Sequence, residues 1–166
     1  LKRKEELAIT LDGDWFMHLD ADEMRNSPYP NETLSEAICA VDKANYNAIN
    51  FMEFTFVPTL ESPDHTQGNF INSMKWYYPF QRKLLFRVNA WKKQPSGIDL
   101  VSNSGHVVKF PNQLIYPVNF QLRHYQYLNV EHAIQKYSSR RHPKKSLAEG
   151  RHGWREELNP QLIKLP

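Results

Sequence analysis

Residues 13–24 read GDWFMHLDADEM. A short apolar run, Trp15 to Leu19, ends in three carboxylates: Asp20, Asp22 and Glu23. The run is β-prone and follows an Asp12-Gly13 turn signal, so it reads as a buried strand. The carboxylates then fall at its C-terminal end. In open α/β sheets that edge is where ligands bind. Three carboxylates placed there repel one another unless a cation neutralises them. Hard cations such as Mg²⁺ and Mn²⁺ take oxygen ligands, often one or two carboxylates together with phosphate oxygens of a substrate. A second Asp-x-Asp, Asp12-Gly13-Asp14, has the same spacing but precedes the strand, in a turn that favours Asp and Gly for backbone reasons alone. The spacing carries little by itself, and the strand in front of it supplies the meaning.

Working outward, residues 2 to 11 read as a helix. Met24 to Asn31, with Pro28 and Pro30, reads as a loop. Thr33-x-x-Glu36 is a capping-box pattern. It opens a helix through about Asn45 with Leu34, Ile38 and Val41 on one face. Asn47 to Val57 alternates as a strand. Residues 58 to 79 hold Pro58, Pro63, Gly68 and Pro79 and read as a long loop, of the kind that is functional or mobile. Lys83 to Val88, Gly105 to Phe110, Leu114 to Tyr116 and Phe120 to Tyr125 read as short strands. Asn129 to about Arg141 reads as a helix. Helices alternate with strands early and strands cluster late, which suggests an α/β sheet with a mixed or antiparallel portion.

The 166 residues suffice for about one domain with a real core. Hydrophobic residues at 40% and charged residues at 23% argue against disorder. No apolar run approaches the roughly 18 residues that cross a bilayer, and the start, LKRKEELAIT, has no apolar core of a secretory signal. The single cysteine, Cys39, precludes an internal disulfide and suits a reducing compartment. Flanked by Ile38 and Ala40, it reads as a small buried hydrophobe. A cytoplasmic location is expected, with peripheral contact at the inner face of the membrane compatible with it. Net charge is +3, and from Gln121 onward nine basic residues face four acidic ones. The acidic motif and the basic end therefore lie in opposite halves, as would suit a metal site plus groups that meet phosphate.

Two families place Asp-x-Asp after an apolar strand. The haloacid-dehalogenase-type phosphatases want Thr or Val two residues beyond the second Asp, where this chain has Met24. The stretch DWFMHLDADEM resembles instead the Asp-x-Asp segment of glycosyltransferases of the GT-A fold, particularly the family-2-like group. INFMEFTFVPTLES is similar to their next strand, and FQLRHYQYLNVEHAIQKY to their late strand and helix. The resemblance covers most of residues 1 to 140. It implies a GT-A-like, Rossmann-like mixed sheet with flanking helices over residues 1–141, followed by a basic extension over 142–166. In such enzymes βαβ units that bind the nucleotide precede the motif. Only about one helix precedes it here, so the chain is expected to hold the C-terminal portion of the catalytic domain.

The resemblance further implies a nucleotide-sugar donor, most simply a UDP-sugar, and a carbohydrate or other hydroxyl acceptor. Asp20 and Asp22 would hold Mn²⁺ or Mg²⁺ against the donor diphosphate, with His124 completing the metal shell. Asp20 would also meet the ribose, and Glu23 would line the same pocket. His106, after Gly105, is placed near the acceptor, and His18 in the strand reads as a core or supporting histidine. Arg140, with Lys136 and Arg141, is a candidate for the diphosphate. SSRRHPKK has the charge to meet nucleic acid or an anionic membrane surface; a solvated helix end is its commoner meaning, diphosphate contact is what the resemblance implies, and no nucleic-acid partner is expected.

An inverting transfer needs a general base. Glu53, Glu61, Asp64 and Asp99 are candidates, with Asp99 favoured and Asp64 next. Trp91, with Trp76, Tyr77 and Tyr78, could offer a flat platform to a sugar. The rival readings are a metal-dependent phosphohydrolase on the same carboxylates and a non-catalytic carbohydrate-binding or interaction domain.

Overall fold

The computed structural model describes residues 1–80, 87–138 and 164–166. It divides into two compact units, residues 1–55 with 79–124 and residues 56–78 with 125–166. The architecture is mixed α/β, as expected.

The first unit opens with α1 (Lys2–Thr10). β1 (Trp15–Met17) and β2 (Glu23–Asn26) flank the Asp-x-Asp turn. Then come α2 (Leu34–Lys43) and β3 (Ala48–Phe56), the longest strand. The capping box is present as read: Thr33 Oγ1 accepts from the Glu36 amide, and the Glu36 carboxylate accepts from the Thr33 amide. β4 (Tyr77–Phe80), β5 (Val88–Lys92) and β6 (Phe120–His124) complete the sheet.

The strand path is β1-β5-β3-β6-β2, with β4 pairing β3 off this path. β5 is antiparallel to both β1 and β3, whereas β3 and β6 are parallel. β1, β3 and β6 therefore run the same way, and their carboxyl ends share one edge. β2 runs against β6 and starts at that edge, with Glu23 opposite His124.

β1 and β2 are consecutive in sequence yet lie at opposite ends of the path. Flat, the ends of five strands would stand about 19 Å apart. The link from Met17 to Glu23 could span about 21 Å only if fully extended. It is instead folded into a turn closed by Glu23 N–H donating to Asp20 O at 3.2 Å. The sheet must curl, and the motif bridges its two ends.

Two apolar clusters sandwich the sheet. Ala37 and Val41 of α2 pack with Ile49, Phe51, Ala90, Phe120 and Leu122. Ala8 of α1 packs with Ala48, Val88, Trp91, Leu100 and Val108. Fully burying a side chain such as Phe51, Ile49 or Leu122 contributes about 1.5–3 kcal/mol each, so these strands anchor the edge.

Several local expectations change. Met24–Asn31 is not all loop, because β2 occupies its start. The strand hides from hydrophobic periodicity because the residue it buries is Arg25 rather than an apolar one. Residues 58–79 are not structureless: they contain α3 (Phe70–Ser73) and the start of β4. Residues 105–110 and 114–116 form only isolated bridges, Asp99 with Lys109 and Ala48 with Ile115. Ser104, Gly105 and Asn112 adopt positive φ, which breaks an extended run. Cys39 is exposed, not buried, because α2 turns Leu34, Ala37, Ile38 and Val41 inward and leaves Cys39 on its outer side.

The second unit carries α4 (Val130–Ser138), matching the described part of the expected helix. Phe56, Phe70, Tyr77 and Tyr125 form its aromatic centre, with Phe56 stacked on Tyr125 at 4.7 Å. No helix among the described residues is long and apolar enough to cross a membrane.

Candidate functional site

All five strands of the main path bring a charged or titratable group to the shared carboxyl edge. The end of β1 gives His18 and Asp20, and the start of β2 gives Asp22, Glu23 and Arg25. β3 gives Glu53, the residue before β5 is Arg87, and β6 ends at His124. Glu53 is at the centre of this group. It follows Phe51 on β3, so the same stretch of strand passes from an apolar core to a charged edge within two residues.

Glu53 is 2% exposed. Its Oε1 accepts from His124 Nδ1 at 2.6 Å, and its Oε2 from Arg87 Nε and Nη2, both at 2.7 Å. Burial alone would push the Glu53 carboxyl up, but these bonds outweigh it and hold the pKa below the ordinary value. On its other side, His124 Nε2 faces Asp22 Oδ2 at 3.5 Å. Burial opposes charge on His124, yet its hydrogen bonds to Asp22 and Glu53 prevail and raise its pKa to about 9. At neutral pH it is an imidazolium held between two carboxylates.

Below the turn, Glu23 Oε2 accepts from Arg25 Nη2 at 2.8 Å, and both side chains are almost wholly buried. Arg25 Nη2 also reaches His18 O at 3.5 Å, and its guanidinium lies over the Phe51 ring, 4.7 Å from the centroid. Desolvation lowers the Arg25 pKa, and Glu23 opposes that. Glu23 Oε1 stands 3.7 Å from Arg87 Nη1 and makes no hydrogen bond, and buried Arg25 Nε and Nη1 make none either among the described residues.

The far side of the edge is built by α1 and the loop after β5. Lys4 Nζ lies 2.8 Å from His18 Nδ1. Burial first, then Lys4, lowers the His18 pKa, so the ring is neutral. Gly105, at φ 83°, brings its backbone against that ring: a Cβ there would stand 2.4 Å from His18 Nε2. Glu5 Oε1 accepts from the amides of Leu100 and Val101 at 2.6 and 3.0 Å, tying this loop to α1. His106, next along it, bonds through Nδ1 to Arg87 Nη1. Burial and the Arg87 charge lower its pKa to about 4.

No family model, curated protein or solved structure matches the chain.

The expected site residues distribute as follows. Asp20, Asp22, His124 and His106 are brought to one edge, and Glu23 lies beneath it, buried in its ion pair with Arg25. Asp99 is engaged in a turn, where its Oδ1 accepts from the Ser102 amide at 3.0 Å. Asp64 belongs to the second unit, where its Oδ1 accepts from Thr66 and Asn129. Bonds to the backbone amides of Ser102 and Thr66, respectively, lower both pKa values, which suits caps better than proton acceptors. Trp91 is 3% exposed and stacks on Phe16 in the core, so it presents no ring to a ligand. Trp76, Tyr77 and Tyr78 are exposed in the second unit. Arg140 and Arg141 lie outside the described residues, as does most of SSRRHPKK. Lys136 donates to Gln126 O at 2.6 Å.

Sequence reasoning missed Arg25 and Arg87 and left Glu53 open between solvent and site. A strand alternation that places Glu53 in step with Phe51 was the available signal.

Among the described residues, no group of three or more His, Cys, Asp and Glu side chains is close enough together to hold a metal ion. Asp22 and His124 nevertheless face each other at 3.5 Å, and the second nitrogen of His124 is held by buried Glu53. That last arrangement orients metal-binding histidines generally.

Proposed function

We propose that this chain carries the catalytic edge of a GT-A-type glycosyltransferase, moving a sugar from a nucleotide-sugar to an acceptor hydroxyl. The observation that carries the reading is the opposition of Asp22 and His124 at 3.5 Å, with His124 oriented from behind by Glu53. The GT-A resemblance of the motif, and the parallel run of β1, β3 and β6 toward one edge, agree with it.

In this reading Asp20, Asp22 and His124 would hold Mn²⁺ or Mg²⁺. The ion supplies positive charge against the negative charge that builds on the departing diphosphate. Asp20, exposed at the tip of the turn, meets the donor. His124 would hold the ion as the neutral imidazole, with its Nδ1–H kept on Glu53. Glu53 and Arg87 keep that imidazole in place and touch no substrate.

The test is thermal unfolding of the full-length protein with Mn²⁺ and UDP together. A rise in Tm that Asp22→Asn abolishes supports the transferase. Release of phosphate from a phosphomonoester favours the phosphohydrolase, and sugar binding that survives both chelation and Asp22→Asn favours the non-catalytic reading.

A further inference from the structure

The His18 ring stands between two side chains of opposite charge. Lys4 Nζ lies 2.8 Å from its Nδ1, and Asp20 Oδ1 lies 3.9 Å from its Nε2. An ammonium has only N–H donors, and an ionised carboxylate only accepts. The contact with Lys4 therefore has one direction: Nδ1 accepts. The proton of the ring is then on Nε2, the nitrogen that faces Asp20. A flipped ring would set Cδ2 against the ammonium, so the same contact fixes the ring's orientation. We propose that Lys4 and His18 are positioning residues for Asp20: Lys4 fixes the ring as its Nε2–H tautomer, and this N–H holds one oxygen of the Asp20 carboxylate so that the other meets the nucleotide-sugar.

The rest of the fold clamps the ring in this place. The His18 amide donates to Asn89 O on β5 at 2.9 Å, and the His18 carbonyl accepts from Arg25 Nη2 at 3.5 Å. Gly105 closes the Nε2–Cδ2 side of the ring: a Cβ there would stand 2.4 Å from Nε2 and 2.6 Å from Cδ2, so the ring cannot shift toward that loop unless the backbone gives way. His18 is buried, whereas the Asp20 side chain is 55% exposed. A fixed, buried partner behind an open group is how proteins orient the side chains that hold a ligand. The Asp20 amide donates to Glu23 Oε2 at 3.3 Å, which leaves the Asp20 side chain, rather than the turn, free to rotate onto His18. At 3.9 Å the pair is about 1 Å longer than a hydrogen bond, and long contacts at such sites commonly tighten when a ligand binds. Lys4 lies on the exposed side of α1, so this run of contacts makes the helix part of the edge.

The role of Asp20 toward the nucleotide-sugar rests on the transferase reading, but the contacts of the ring do not, so two measurements separate them. Long-range ¹H–¹⁵N spectra of the labelled full-length protein should show His18 with a bare Nδ1 and a protonated Nε2. Lys4→Met should move chiefly the Nδ1 resonance, and Asp20→Asn chiefly the Nε2 resonance. An Nδ1–H tautomer, or an Nε2 that ignores Asp20→Asn, overturns the proposal. Binding of UDP in the presence of Mn²⁺ is measured next. His18→Phe should weaken it about tenfold, as loss of a partner behind a ligand-holding side chain does, with a smaller loss in Lys4→Met. His18→Gln, whose amide N–H reaches a similar position, should recover most of the affinity. Combining His18→Phe with Asp20→Asn should bind no worse than Asp20→Asn alone, because His18 acts through Asp20. Losses that add in the double variant, or unchanged affinity in both His18→Phe and Lys4→Met, overturn the positioning role. A wild-type protein that binds neither Mn²⁺ nor UDP overturns the transferase reading and the role of Asp20 within it, and the spectra alone then decide whether Lys4 and His18 hold Asp20.

Discussion

Glu53→Gln tests whether the buried charges work as one unit. The substitution keeps size and one carbonyl acceptor but removes the negative charge between His124 and Arg87. Breaking a buried ion pair by neutralising one partner costs about 3–5 kcal/mol. Gln retains one of the two acceptor positions, so the lower figure, about 3 kcal/mol, is expected. For a chain of this length each kcal/mol moves Tm by roughly 2–4 °C, giving a fall of about 6–12 °C.

The pH dependence sharpens the test. The His124 pKa is raised to about 9 in the folded protein. A raised histidine contributes stability that is full below its ordinary pKa of 6.5 and is lost as pH rises through 9. The shift is worth about 3 kcal/mol. Glu53 supplies part of it, so the gap between wild type and Glu53→Gln should be widest near pH 6 and narrow by pH 10. Urea titrations of both proteins at the two pH values measure this directly. A Tm change under about 2 °C, or a gap of equal size at both pH values, would refute the claim that Glu53 holds a charged His124.

Two further outcomes follow from local geometry. Gly105→Ala places a methyl group on the His18 ring and strains a backbone at φ 83°; a loss above about 1 kcal/mol is expected in urea. Cys39 should react with a thiol reagent in the native protein at a rate close to that of the unfolded chain, and Cys39→Ser should change stability by no more than about 0.5 kcal/mol; slow labelling that needs denaturant would contradict the exposed outer side of α2.

Elements whose formation rests on local chemistry were legible in the sequence. The capping box at Thr33 and Glu36 set the start of α2, and the alternation through Ile49 and Phe51 found β3. The placement of Asp20 and Asp22 at a strand end followed from the apolar run before them. β2 was not legible, because Arg25 fills an inward position that periodicity reserves for apolar residues, and its partner Glu23 is only two residues away. Arg87 was beyond sequence reasoning for a different reason: its partners Glu53 and His106 lie 34 and 19 positions away, and nothing local to Arg87 signals either. The choice of Asp99 and Asp64 as bases used their loop positions, whereas their oxygens are taken by nearby amides.

The turn that carries Asp20 and Asp22 also closes the sheet, since β1 and β2 are the two ends of its path and five residues join them. A sheet end is ordinarily the first part of a β structure to fray. Here neither end can peel away without dragging the motif, and the motif cannot rearrange without loosening both. Amide exchange in residues 20–22 should therefore keep pace with that of β1 and β2 together. Ligand held by the turn would then act as a clasp on the whole curl, slowing exchange at two strands that have no backbone pairing with each other.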